Sequence, residues 1–182
     1  MKILTRVIIM LFVAALFAAG YTKVMARVAS GTPPEMRPAA YQADFVLVEK
    51  GARRLSLLRD GVAFADYRIS LGADGDGGHK RFEGDQRTPE GVYTLDWRNP
   101  NSIAYLSLHI SYPNAEDVAY AAAKGRDPGG HIMIHGIANG WGWLGSWHRL
   151  WDWTDGCIAV SNDEMREIWA HVANGTPIEI RP

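Results

Sequence analysis

The sequence predicts a mostly β domain with two modest helices, and three observations carry that prediction. Short runs rich in β-branched and apolar residues recur from Asp44 to the C-terminus, broken by Gly-containing turns. Helical start and stop signals occur at only two places in that stretch. The strand–helix alternation of a doubly wound parallel sheet is missing. With 182 residues, 47% of them apolar and 21% charged, the chain supports one domain with a proper core and is too apolar for wholesale disorder.

The first element is an apolar run of thirteen residues, Val7 to Ala19, behind Lys2 and Arg6. As a helix it would span about 20 Å, short of the ~30 Å hydrocarbon core of a bilayer. With the small residues Ala18-Ala19-Gly20 behind it, residues 1–21 read as a signal peptide. The rival is an uncleaved anchor extended through Gly20, Tyr21 and Thr22. Both readings export the body to the periplasm or cell envelope, with membrane contact only through this segment. Residues 22–43 hold Pro33, Pro34 and Pro38 among small residues without periodicity and read as a linker. The domain is expected over 44–182.

FVLVEK, RLSLLRD and VAFADYRISLG read as three strands, separated by Lys50-Gly51 and by the hairpin signal Asp60-Gly61. Residues 72–91, rich in Gly, Asp and Lys/Arg, read as a long loop, with His79, Lys80 and Arg81 in solvent or, as a lesser alternative, as contacts for substrate carboxylates. Strands follow at Val92 to Leu95 and Ser107 to Ser111, then a helix capped by Asn114 and ended by Gly125. HIMIH (131–135) is a strand, Asn162 caps an amphipathic helix, and Thr176 to Arg181 closes the domain.

Of the 19 basic residues, four (Lys2, Arg6, Lys23 and Arg27) precede the first acidic one, leaving 15 against 20 acidic residues in the body. That acidic body speaks against nucleic acid as a partner. One cysteine permits no intramolecular disulfide, so an exported protein either buries this thiol inertly or uses it.

The neighbours of that cysteine favour use. His135-Gly136 ends an apolar strand, and Thr154-Asp155-Gly156-Cys157 precedes another apolar run. A thiol is only a few per cent thiolate at neutral pH, and a histidine within reach can take its proton and later return it to a leaving amine. Gly156 lets a carbonyl approach the backbone, where the Gly156 and Cys157 amides are candidates for an oxyanion hole.

TPEGVY (88–93), HIMIHG (131–136) and TDGCIAV (154–160), in this order, resemble the L,D-transpeptidase catalytic domain, also called the YkuD domain. The resemblance covers Asp44 to Pro182. It implies a sandwich-like mostly β domain with two or three short helices. It implies a cysteine acyltransferase acting on peptidoglycan stem peptides, with Cys157 as nucleophile, His135 as base and the Gly136 carbonyl orienting the imidazole. The thioester passes to an amine on another stem or on a protein, or to water; no cofactor and no metal take part. Two positions depart from the pattern: Asp155 stands where many members have His, and Ala159 where many have Arg. Arg149 is a candidate replacement cation. The departures leave both directions of acyl transfer open, synthesis of cross-links or their hydrolysis by an endopeptidase, carboxypeptidase or amidase.

Two other function classes compete. His131 and His135, four apart on one strand, could join Cys157 in a zinc site. A non-catalytic wall-binding module is the third class, and the intact His135 and Cys157 speak against it. Five tryptophans between 141 and 153 read equally as a packed loop or as a groove for sugar or stem peptide, with Trp141 and Trp143 as candidate substrate contacts.

Overall fold

The computed structural model describes residues 2–182 and shows one curled, mixed sheet of eight strands with three α-helices. The strands are β1 (Phe45–Glu49), β2 (Arg54–Arg59), β3 (Val62–Arg68), β4 (Gly91–Asn99), β5 (Ser107–Ile110), β6 (Met133–His135), β7 (Ile158–Ala159) and β8 (Thr176–Arg181). Their order in the sheet is β3-β2-β1-β8-β4-β5-β6-β7. The C-terminal strand β8 lies at the centre, parallel to β1 and antiparallel to β4. The catalytic candidates lie at the far edge, on β6 and beside β7, which pair in parallel.

Most of these elements sit where the pattern of residues puts them. The β2–β3 hairpin turns at Asp60-Gly61, both at positive φ (51° and 75°), the geometry that matches strand twist. Alternation sends Val46, Val48, Leu55, Leu57, Ile178 and Ile180 to the core, all at most 1% exposed. Helix α2 (Ala115–Ala123) begins in a capping box between Asn114 and Asp117. Helix α3 (Asn162–His171) buries Met165, Ile168 and Trp169, but its N-cap is Ser161, not Asn162, because Ser161 and Glu164 form the reciprocal box. The Asn162 Oδ1 instead accepts the Ile137 amide at 2.9 Å, fixing the chain just beyond β6.

The N-terminal region departs most from expectation. Helix α1 runs from Lys2 to Val28, well past the thirteen-residue apolar core and seven residues into the stretch read as linker. Within Ile3–Val28 the mean hydropathy over 18 residues reaches 2.4, and the helix is long and apolar enough to cross a membrane. The remainder of that stretch is docked to the domain: Gly31 N–H donates to the Tyr105 carbonyl, Arg37 N–H to Ala170 and Ala43 N–H to His171, each at 2.8 Å. Between β6 and β7 a run of 3₁₀ turns, Gly142–Leu150, holds the tryptophan-rich segment. No strand or α-helix signal marks it, since Gly142 and Gly145 interrupt any periodicity.

Candidate active site

Strand pairing brings the two principal candidates together. Ile134 pairs with Ile158 and His135 with Ala159, so Met133 lies level with Cys157 across the parallel ladder. Ile134 and Ile158 point to the core at 0% exposure. With a two-residue side-chain period, His135 and Cys157 therefore face the other way, off the same side of the sheet edge. Both line one cleft of about 380 Å³.

Cys157 is half-buried. Its Sγ accepts the Met133 N–H at 3.4 Å and approaches the His131 carbonyl at 3.7 Å. Burial pushes the thiol pKa up; the Met133 N–H opposes this, the Asp155 charge adds to it, and the Lys80 charge lowers it. His135 is 8% exposed, and burial holds its imidazole below the ordinary histidine range. Its Nδ1 lies 2.6 Å from the Gly136 carbonyl oxygen, which can only accept. Nδ1 thus carries the proton, and Nε2 keeps the lone pair a base requires. The two shifts favour the neutral thiol and the neutral imidazole. The Trp153 ring stands edge-on to His135 at 5.8 Å.

The turn before Cys157 is tightly specified. Gly156 has φ 125°, and a Cβ there would sit 2.6 Å from the Arg87 carbonyl, so only glycine fits. The Thr154 hydroxyl donates to the Cys157 carbonyl at 2.7 Å and accepts the Gly156 amide at 3.2 Å. The Gly156 amide is thereby engaged in the turn.

The remaining candidates are distributed unevenly. Asp155 is exposed at the rim of the cleft. Arg149 is turned away: its guanidinium pairs with Glu164 at the start of α3, and it does not line the cleft. Trp141 and Trp143 also lie outside the cleft lining; Trp141 donates from Nε1 to the Thr22 hydroxyl of α1 at 3.0 Å, and Trp143 is 73% exposed. Trp153 is the tryptophan that reaches the cleft. His131 begins outside β6 with φ 55°, so the shared strand face behind the zinc reading is absent. Among the described residues no three His, Cys, Asp or Glu side chains converge as a metal-ligand cluster.

Four contributors were not singled out from the sequence. Lys80, expected in solvent, is 3% exposed, paired with Asp85 at 2.9 Å and within electrostatic reach of Cys157. Thr22 and Ala26 of α1 form part of the cleft wall. Thr154 carried a signal, its place in the TDGC motif; the others carried none, because their roles depend on segments far apart in the chain.

The family model for the L,D-transpeptidase catalytic domain (YkuD) matches residues 43–180. The Escherichia coli K12 protein named "Putative L,D-transpeptidase YafK" is 32% identical over 98 residues, covering 52% of this chain and 32% of that protein. A point mutant of the helical cell shape determining protein Pgp2 from Campylobacter jejuni superposes with TM-score 0.57 at 26% identity, covering 86% of this chain and 51% of that one. Bd1075 of Bdellovibrio bacteriovorus gives TM-score 0.52 at 24% identity over 84% of this chain and 52% of its own, a likeness of fold. The chain thus spans about a third of the length of the curated relatives it matches and about half of these two structures. From the match over 43–180, the chain belongs to the L,D-transpeptidase catalytic domain family.

Proposed function

We propose that this chain is a cell-envelope cysteine acyltransferase that acts on peptidoglycan stem peptides. The observation that carries the reading is the convergence of Cys157 and His135 on one cleft, with His135 Nδ1 tied to the Gly136 carbonyl. His135 Nε2 takes the thiol proton as Sγ attacks the carbonyl of the third stem residue. The Cys157 amide stabilises the oxyanion, joined by Gly156 if its amide leaves the Thr154 hydroxyl. Collapse expels the terminal D-Ala amine, which receives the proton from His135 and leaves a thioester on Cys157. An acceptor amine then gives a proton to His135 and displaces the sulfur, which recovers that proton. The acceptor is an amine of a second stem peptide or of a protein.

Hydrolysis is the second reading, with water as acceptor; the exposed Asp155 carboxylate at the rim, where it repels an incoming carboxylated stem, favours it. Incubating the full chain with purified tetrapeptide muropeptides separates the two by product mass. A dimer lacking one D-Ala supports the transferase, and a released tripeptide or a split cross-link supports the hydrolase. Cys157→Ala should lower either product by several decades, as nucleophile removal does. Activity above about one per cent of wild type in that variant overturns the mechanism. Turnover lost to a strong chelator and restored by zinc would replace it with metal chemistry.

A further inference from the structure

We propose that the tryptophan-rich segment is a membrane-contact surface that seats the domain on the phospholipid bilayer beside its own N-terminal helix. Four large apolar side chains stand in solvent on this short stretch: Trp143 (73% exposed), Trp147 (70%), Leu150 (68%) and Trp151 (62%). Burying none of them against the domain is costly for a water-facing loop, but tryptophan is the residue that suits the headgroup boundary, apolar in its ring and polar at its N–H.

The position of α1 names the occupant. From Ile3 to Tyr21 the helix covers about 28 Å at 1.5 Å per residue, close to the ~30 Å hydrocarbon core. Tyr21 therefore reaches the interface, followed by the exposed cations Lys23 and Arg27. At that level the helix is fastened to the start of the tryptophan segment. The Tyr21 hydroxyl donates to the Gly140 carbonyl at 3.0 Å, and its ring meets Trp141 edge-on at 5.7 Å. Trp141 in turn donates to Thr22. Gly140 has φ 84°, and a Cβ there would fall 2.7 Å from Met25, so the helix approaches this backbone as closely as glycine allows. The docked helix end thus fixes the exposed rings near the height at which it leaves the bilayer. The same docking puts Thr22 and Ala26 in the wall of the catalytic cleft, which therefore opens close to the lipid surface.

The proposal rests on α1 being retained as an anchor, and the experiment separates the two claims. The full chain is reconstituted into phosphatidylcholine–phosphatidylglycerol vesicles carrying lipids brominated at a shallow or a deep acyl position, and floated. Helix α1 contains no tryptophan, so quenching reports the domain alone. Expected is flotation, with stronger quenching by the shallow bromines and loss of at least half of it in the Trp143→Gln/Trp147→Gln/Trp151→Gln variant. The wild-type depth profile stands without that variant, should the variant fold poorly. A chain that does not float overturns both anchor and surface. Flotation without quenching overturns the surface and leaves the anchor. Rings untouched by bromine but shifted by muropeptides belong to substrate recognition instead. No step uses turnover, so the outcome is independent of the acyl-transfer mechanism.

Discussion

Two segments, residues 72–91 and 141–153, contrast in composition and, in the opposite sense, in exposure. Residues 72–91 carry charges and glycines and read as solvated loop; residues 141–153 carry five tryptophans and read equally as packed loop or as groove. In the structure the polar segment is the pinned one. Lys50, 3% exposed, pairs with Glu90 at 2.7 Å and donates to the Gly78 and Thr88 carbonyls. Lys80 pairs with Asp85, and His79 Nε2 meets Asp117 at 2.8 Å. The aromatic segment shows most of its rings to solvent. Charge marks solvent only when it lacks a partner, and an aromatic ring marks the core only when the protein alone must cover it.

The contrast breaks most directly at Lys50. Removing one partner of a buried pair leaves the other uncompensated, at a cost of about 3–5 kcal/mol. Lys50→Met should lower stability by about 3 kcal/mol, since Glu90 keeps partial solvent access. Trp147→Gln, on the exposed side, should stay within about 0.5 kcal/mol. Urea unfolding with matched m-values checks both; equal losses would mean that the tryptophan segment is as integral to the fold as the charged loop.

One polar group inside the aromatic segment sharpens the comparison. His148 is 3% exposed, and its Nε2 is buried without a hydrogen-bond partner. Burial, assisted by Arg149, lowers its pKa from 6.5 to about 4, while Glu164 pulls the other way. The unfolded chain then binds a proton that the native chain refuses between those values. The neutral native form contributes full stability above pH 6.5, and that contribution is lost as pH falls through about 4. The loss approaches about 2 kcal/mol near pH 4.5, and His148→Leu should remove it, flattening the fall of Tm between pH 6.5 and 4.5. An unchanged slope would place the acid sensitivity in other groups, His135 first among them.

How much could be read in advance follows the same division. Strands β1 to β3, β5 and β8 and helix α2 are legible because each is set by local periodicity or a cap, and the two motifs that hold His135 and Cys157 do meet at one cleft. The N-cap at Ser161 was misassigned by one residue, since Ser and Asn both cap and only the Glu164 partner decides. Arg149 offered a cation by position along the chain, but Glu164 already holds it. Lys80 beside the thiol and Thr22 in the cleft wall come from residues 77 and 135 positions before Cys157, and no local pattern reports such meetings. Helix α1 outruns its thirteen-residue apolar core and continues through Lys23 and Arg27, since a hydropathy run does not mark where a helix ends.

The smallest effect concerns Asp155 at the rim of the cleft, whose charge and that of the buried Lys80 act on Cys157 with opposite sign. An anion near a thiol disfavours the thiolate, so Asp155 raises the pKa and Lys80 lowers it. Asp155 is exposed, and water and salt screen its charge, so its share is modest. Asp155→Asn keeps the size and removes the charge. It should lower the thiol pKa and speed alkylation of Cys157 near neutral pH by roughly threefold at low ionic strength, with the gain shrinking at high salt. The backbone turn should survive, because Thr154 and Gly156 hold it and Asp155 is exposed at its rim. Thermal stability is therefore expected to be unchanged. The alkylation rate against pH, at two salt concentrations, reads the charge effect directly. An unchanged profile with a lower Tm would make Asp155 a turn residue whose carboxylate does not reach the sulfur. A slower reaction would mean that it positions His135 or a water that Asn cannot replace.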